Sequence, residues 1–348
     1  MTTKGTRNQM RKAILSAMSV VLAVLVAGLA FVIPSGAITE DAQARYNEAV
    51  DGEEDIWDED AALPKPAAVL ANAVFSDILP SANVEALPAD LFAPGSTPKS
   101  ENFTENGYRD DTIIVEMDKQ RLYDSDVYIA YVKIATPSQL RTAVAGKKIG
   151  SSSTNHTSTI SANYNGIVAI NGDYFTKTKA GYIVRMGETY REKTSKNMDL
   201  LLIDEMGDFH IYLRGHDDQA NGVAAFLSEH EIVNGFFFGP ALVVDGEKQE
   251  IPENYQFDPH KKNPRAGIAQ LGALTYAMVV VNGRTEGSEG VTMEEFADIM
   301  TQLGAEQAYN LDGGNSATLA FHGEVYNDKP QAERSVTDII YFASAIGE

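Results

Sequence analysis

The sequence predicts an α+β domain, mostly antiparallel sheet with packed helices, preceded by an N-terminal transmembrane helix and a disordered stalk. Three observations carry this. Short runs of β-branched and aromatic residues recur between Gly-containing turns. Asp245-Gly246 directly follows the apolar run Ala241 to Val244, a strong hairpin signal. One well-capped amphipathic helix, from Met293 to Leu303, stands among these strands.

Taken in order, the chain begins with Lys4, Arg7, Arg11 and Lys12, followed by the uncharged run Ala13 to Ile33. Twenty-one apolar or small residues are long enough to cross a bilayer as a helix. The basic flank belongs on the cytoplasmic side, so residues 1–37 are expected to be a single-pass anchor with the C-terminal domain extracellular. Cleavage at Ser35-Gly36-Ala37 would make the same segment a removed signal peptide.

Residues 38–105 read as a stalk. Between Glu40 and Asp60 there are ten acidic residues against the single base Arg45. Such a run repels itself and stays solvated. Pro64, Pro66, Pro80, Pro88, Pro94 and Pro98 then stiffen an Ala- and Leu-rich spacer. Ala67 to Leu79 has the pattern of a short amphipathic helix.

The folded domain is expected over 106–348. Strands are expected at Thr112 to Met117, Val127 to Ile134, Tyr182 to Met186, Leu200 to Ile203, Phe236 to Pro240, Ala241 to Val244 and Thr275 to Val281. The apolar run Ile167 to Ile170 feeds into Asn171-Gly172-Asp173-Tyr174-Phe175, and Gly150 to Ser153 reads as a polar loop. Thr292 and Glu295 form a capping box, Met293, Phe296, Ile299, Met300 and Leu303 share one helix face, and Gly304 ends it. That helix hands over to Ala308-Tyr309-Asn310-Leu311-Asp312-Gly313-Gly314. Both this stretch and Ile167 to Phe175 are an apolar strand, an Asn, then an Asp beside a Gly, a local repeat that would place two acidic strand ends at one cleft.

Composition removes several function classes. The net charge of −21, from 49 acidic and 28 basic residues, makes nucleic acid a poor partner. Without cysteine there is no disulfide, thiolate metal site or Cys nucleophile. The histidines at 156, 210, 216, 230, 260 and 322 show no H-E-x-x-H pair, so no metal or other cofactor is expected, a divalent cation at the acidic strand ends aside. No phosphate-binding P-loop and no G-x-S-x-G nucleophile elbow are found.

The last third contains, in order, Asn263-Pro264-Arg265-Ala266-Gly267-Ile268, Val281-Asn282-Gly283-Arg284, Ser288-Glu289-Gly290-Val291-Thr292, Asn310-Leu311-Asp312-Gly313-Gly314-Asn315-Ser316 and Glu333-Arg334-Ser335-Val336. Upstream stand Ile170 to Phe175, Ile183-Val184-Arg185-Met186-Gly187 and Phe238-Gly239-Pro240-Ala241. Together they resemble the phosphodiester glycosidase family, over roughly Tyr108 to Phe342. The family usually has D-G-R where this chain has Asn282-Gly283-Arg284, and D-G-G-G-S-S where it has Asp312-Gly313-Gly314-Asn315-Ser316-Ala317. The resemblance implies an extracytoplasmic hydrolase that cleaves a glycosyl–phosphodiester bond in a surface glycan or exopolysaccharide. The alternative is a glycan-binding or polymer-assembly protein with the same fold and no turnover.

Residue chemistry adds roles. Phosphate is a good leaving group, so donors that hold its charge matter more than a strong general acid. Arg265, Arg284 and Arg334 have the fork that meets phosphate oxygens, and the amides at Gly313 and Gly314 offer a nest. Asp312 and Asp173 are the candidate base or nucleophile and its partner, with Glu333 as a further acid. Asn171, Asn310 and Ser316 are candidates for positioning loops or sugar hydroxyls, and Tyr174 with Phe175 for an apolar wall.

Overall fold

The structure is a computed structural model that describes residues 84–215, 218–329 and 332–347. The expected anchor, the acidic run and the helix at 67–79 lie outside the described residues. Among the described residues, no helix is long and apolar enough to cross a membrane.

Three antiparallel sheets make up most of the described fold, which is α+β. The largest has nine strands, ordered Phe103–Thr104, Gly107–Arg109, Ile113–Leu122, Ser125–Ile134, Thr275–Val281, Arg265–Gly272, Gln307–Asn310, Ala241–Val244 and Glu247–Lys248. Its middle is apolar on both faces. Ile113, Val115, Met278 and Val280 enter one core cluster, and Ile114, Val279 and Val281 enter another. Burial on both sides accounts for the unbroken apolar run Thr275–Val281, which does not alternate.

The helices among the described residues are α1 (Thr157–Asn163), α2 (Asp218–Glu229) and α3 (Met293–Gln302). Helix α3 covers the second face of the large sheet with Met293, Phe296, Ile299 and Met300. Its capping box forms as expected. Thr292 Oγ1 accepts from Glu295 N at 3.2 Å, and Glu295 Oε2 accepts from Thr292 N at 2.7 Å. A Cβ on Gly267 would stand 2.8 Å from Met300 Cε and 3.0 Å from the Phe296 ring, so the helix rests on bare backbone.

The other core face packs against two five-stranded sheets. One runs Phe209–Tyr212, Leu200–Ile203, Asn234–Phe236, Ile183–Arg185, Glu188–Arg191. The other runs Glu324–Val325, Leu319–Phe321, Val168–Asn171, Asp338–Phe342, Leu140–Val144. The chain leaves the large sheet at Asn310 and enters this last sheet at Leu319, and the loop between them carries Asp312.

The domain begins earlier than expected. Residues 84–105, assigned to the stalk from their prolines, lie against it. Leu91 is buried, Phe103–Thr104 pairs with Gly107–Arg109, and Arg141 Nη2 donates to the carbonyls of Pro88, Asp90 and Ala93 at 3.1–3.2 Å. The strand expected at Phe236 to Pro240 sits instead at Asn234–Phe236.

Candidate active site

The strand Val168–Asn171 and the strand Gln307–Asn310 belong to different sheets, yet their C-terminal ends meet. Asn171 Nδ2 donates to Asp312 O at 2.7 Å, and Asp312 N donates to Gly172 O at 3.3 Å. Asn171 Oδ1 accepts from Thr318 N at 3.1 Å, so one buried amide ties both flanks of the Asp312 loop. Asn171 therefore places the loop and is too buried to meet a sugar.

Two cavities open on either side of Asp312. The first holds about 360 Å³ and is lined by Asn263, Arg265, Arg284, Asn310, Gly313 and Gly314, with Phe238 and Phe257 stacked at 4.8 Å in its wall. The second holds about 200 Å³ and is rich in hydroxyls, with Ser151, Ser152, Thr154, Tyr174, Tyr190 and Ser316 around it. Asp312 and Arg334 line both.

Asp312 is shielded enough for its carboxyl to titrate at about 6. Burial is the main cause and the nearby Asp173 adds to it. The Ser316 hydroxyl, the Arg334 guanidinium and the Gly313 N–H pull the other way. Arg334 is exposed and stands over the Tyr174 ring, 5.5 Å from its centroid. Across the first cavity, Arg284 is held between two amide oxygens. Its Nη2 donates to Asn263 Oδ1 at 2.8 Å and its Nη1 to Asn315 Oδ1 at 3.1 Å. Asn310 Nδ2 donates to Gly239 O at 2.7 Å, while its Oδ1 has no hydrogen-bond partner among the described residues.

Four expected roles are corrected by this placement. Asp173 is wholly buried and does not face either cavity: its Oδ1 accepts from Arg185 Nη2 at 2.7 Å and its Oδ2 from Phe237 N at 2.8 Å. Glu333 caps α1, accepting from Ser158 N at 3.0 Å and Ser158 Oγ at 2.6 Å. The Arg265 guanidinium is buried against backbone, donating to Val291 O at 3.1 Å and Lys261 O at 2.8 Å. Burial and the neighbouring Arg284 lower it to about 10. The expected nest is also occupied internally, since Gly314 N donates to Pro264 O at 2.8 Å and the Gly313 N–H faces the Asp312 carboxylate. The two glycines serve close packing instead. A Cβ on Gly313 would stand 2.7 Å from Pro264 O, and Gly314 has φ +60°.

Three residues not singled out as site residues hold this geometry. Arg185 lies between two carboxylates, donating to Asp173 and, from Nε at 2.9 Å, to Asp338 Oδ2. It also stacks 4.1 Å from the centre of the Phe236 ring. Two carboxylates share one cation there, and burial raises the Asp338 carboxyl above its usual range. A Cβ on Gly172 would meet the Asp338 carboxylate at 2.3 Å, which explains the glycine between Asn171 and Asp173. On the far side of the loop, Lys329 Nζ donates to Asn315 O, Ala317 O and Thr318 Oγ1 at 2.7–2.9 Å, and burial lowers its amine to about 8. The signal for Arg185 was present: an arginine inside the apolar run Ile183–Met186 must have a buried partner.

Residues 164–343 match the phosphodiester glycosidase family, a range that holds every candidate site residue from Asn171 to Arg334. The chain belongs to the phosphodiester glycosidase family. Within its fold, it is similar to the catalytic domain of zebrafish N-acetylglucosamine-1-phosphodiester α-N-acetylglucosaminidase, a structure described as auto-inhibited by its pro-peptide. The TM-score is 0.53 at 16% identity, over 72% of this chain and 87% of that one. A hypothetical protein from Synechocystis aligns with TM-score 0.46 and 18% identity, over 66% of this chain and 62% of that one. In sequence, the chain is 32% identical over 108 residues to the SPbeta prophage-derived uncharacterized protein YomE of Bacillus subtilis. That match covers 31% of this chain and 17% of YomE, so the chain spans less than a fifth of that relative's length.

The departures from the family pattern fall into two kinds. Asn282 is buried, its Oδ1 accepting from Asn327 Nδ2 at 2.9 Å and its Nδ2 donating to Asp328 O. A carboxylate there would lack the donor that Asp328 O receives, so the amide is part of the local packing. Asn315 is at the cleft, where it accepts from Arg284.

Proposed function

We propose that this chain hydrolyses a glycosyl–phosphodiester bond, with Asp312 acting at the anomeric carbon and Arg334 bearing the phosphate. The observation that carries this reading is that, among the described residues, Asp312 and Arg334 alone line both cavities, so a bond held between the two chambers passes over that pair. A carboxyl titrating at about 6 is mostly ionised at neutral pH and suits a base or nucleophile. Arg334 and Arg284 supply the charge that a departing phosphate needs, which lessens the demand for a second carboxylic acid. Tyr174 and Tyr190, in the wall of the second cavity, offer ring faces to a sugar. The basic-flanked run at 13–33 supports an extracytoplasmic setting at the cell membrane, and hence a surface glycan or exopolysaccharide as the substrate source.

The test is sugar release from a panel of sugar-1-phosphodiesters by the parent chain and by Asp312→Asn. The reading expects release by the parent and a loss of at least about a hundredfold in kcat in the variant, with binding retained. Binding without turnover in the parent would replace it with the glycan-binding alternative.

A further inference from the structure

Away from the cleft, one end of the sheet containing Leu200–Ile203 meets the end of α2. Asp204 follows the strand Leu200–Ile203, Glu205 begins the turn to Phe209–Tyr212, and His230 is the first residue beyond α2. One donor atom from each of the three lies within 4.8 Å of the others. His230 Nδ1 stands 3.5 Å from Asp204 Oδ2 and 3.5 Å from Glu205 Oε1. That nitrogen is out of contact with solvent and has no hydrogen-bond partner among the described residues.

The surroundings fix these atoms in place. Asp204 Oδ1 accepts from Met206 N at 2.8 Å and Asp208 N at 2.9 Å, which leaves Oδ2 turned to the histidines. Glu205 Oε2 accepts from Glu231 N at 2.9 Å, which leaves Oε1 turned to His230. His210 Nε2 lies 2.9 Å from Asp204 Oδ2, and the Phe226 ring packs on both imidazoles, 4.9 Å from His210 and 5.2 Å from His230. Backbone donors that orient the ligating oxygens, and a histidine behind one of them, are the second layer of a metal site.

The His230 separations suit a shared ion better than a direct hydrogen bond. At 3.5 Å the imidazole is too far from either oxygen for a good hydrogen bond. Ligands held at about 2.0–2.2 Å around a tetrahedral ion stand roughly 3.3–3.5 Å from one another. Two carboxylates also balance the charge of one divalent ion. The imidazole favours zinc and its first-row neighbours over calcium or magnesium, which prefer oxygen alone.

We propose that Asp204 Oδ2, Glu205 Oε1 and His230 Nδ1 bind one zinc ion, with His210 orienting Asp204 and water in the fourth position. The ion would clip the end of α2 to the turn at 204–209. It would be separate from the cleft, none of whose lining residues belongs to this cluster. The sequence conceals the site because its ligands are split, with His230 far from the adjacent acids and no motif linking them.

The experiment uses the full chain without a histidine tag, stripped with a chelator and titrated with zinc chloride by calorimetry. The proposal expects a saturable site at one equivalent and a thermal midpoint that rises with zinc. Cobalt in place of zinc should give the visible absorption of a four-coordinate ion. His230→Ala and Glu205→Gln alter partly exposed side chains, so the chelator-treated variants should melt close to the parent while binding zinc about a hundredfold more weakly. No one-equivalent site in the parent would overturn the proposal. So would zinc binding unchanged in both variants, which would place it elsewhere in this acidic chain.

Discussion

Lowering the pH through the titration of Asp312 separates a working base from a carboxylate that merely braces the loop. The group's ordinary value is 3.8, and burial lifts it to about 6. As a base or nucleophile it must be ionised, so kcat/KM should rise with pH and level off above about 6. Ionisation is about nine-tenths complete at pH 7 and about one-tenth at pH 5, so the rate should fall nearly tenfold across that interval. A phosphodiester carries one strongly acidic proton and does not titrate there, so the profile reports the enzyme. Arg334 supplies the second half of the test. Its guanidinium favours the ionised form, so Arg334→Gln should move the apparent pKa upward. Arg334 is exposed and screened by solvent, which limits the shift to about one unit. The assay is sugar release under kcat/KM conditions between about pH 4.5 and 8.5, for parent and variant. A flat profile, a rate that rises as pH falls, or a downward shift in Arg334→Gln would refute the reasoning.

Other expectations concern stability and the scaffold. The folded-state pKa of Asp312 lies above its unfolded value, so its contribution favours folding below about 4 and is lost as pH rises through about 6. Asp312→Asn should therefore stabilise the chain at pH 7, by up to about 3 kcal/mol, and by much less near pH 4, as read from urea unfolding at both values. Arg185→Met leaves Asp173 and Asp338 buried without their cation. It should cost about 3–5 kcal/mol in the same assay, with lost activity following lost fold. Phe296→Ala empties the contact between α3 and the large sheet and should cost about 3–5 kcal/mol while sparing kcat. Thr292→Ala removes the cap alone, and a loss of about 1 kcal/mol is expected from its thermal midpoint.

Much of this fold could be read in the sequence where local and tertiary forces agree. Ala241–Val244 with its Asp-Gly turn, Leu200–Ile203 and Thr275–Val281 were all expected where they occur, because burial and β propensity favour the same state. The strand Arg265–Gly272 is not legible in the sequence because Arg265, Gly267 and Gln270 interrupt its apolar pattern. Each interruption has a tertiary reason. Arg265 holds loop carbonyls, Gly267 admits α3, and Gln270 Oε1 accepts from Phe209 N at 2.8 Å. Helix α1, TSTISAN, has little helix propensity of its own and takes support from Glu333 at its first turn.

The site shows the same division more sharply. Asp312, Arg334, Arg284 and Asn310 could be named because a strand end, a Gly-Gly step and arginines near phosphate chemistry are local signals. Sequence could not tell a charge that faces a cavity from one that faces another charge. Asp173 and Asp312 follow the same local pattern of strand, Asn and Asp beside Gly, yet one side chain is shut against Arg185 and the other opens between two cavities. The difference comes from Arg185 and Asp338, which arrive from distant strands and claim the interior position. Even so enclosed, Asp173 acts on the cleft through its charge. A carboxylate that cannot reach solvent still raises the pKa of Asp312, while Arg334 restrains it from the open side. The two matching strand ends thus differ in placement, one setting the field from the interior and the other opening to the cavities.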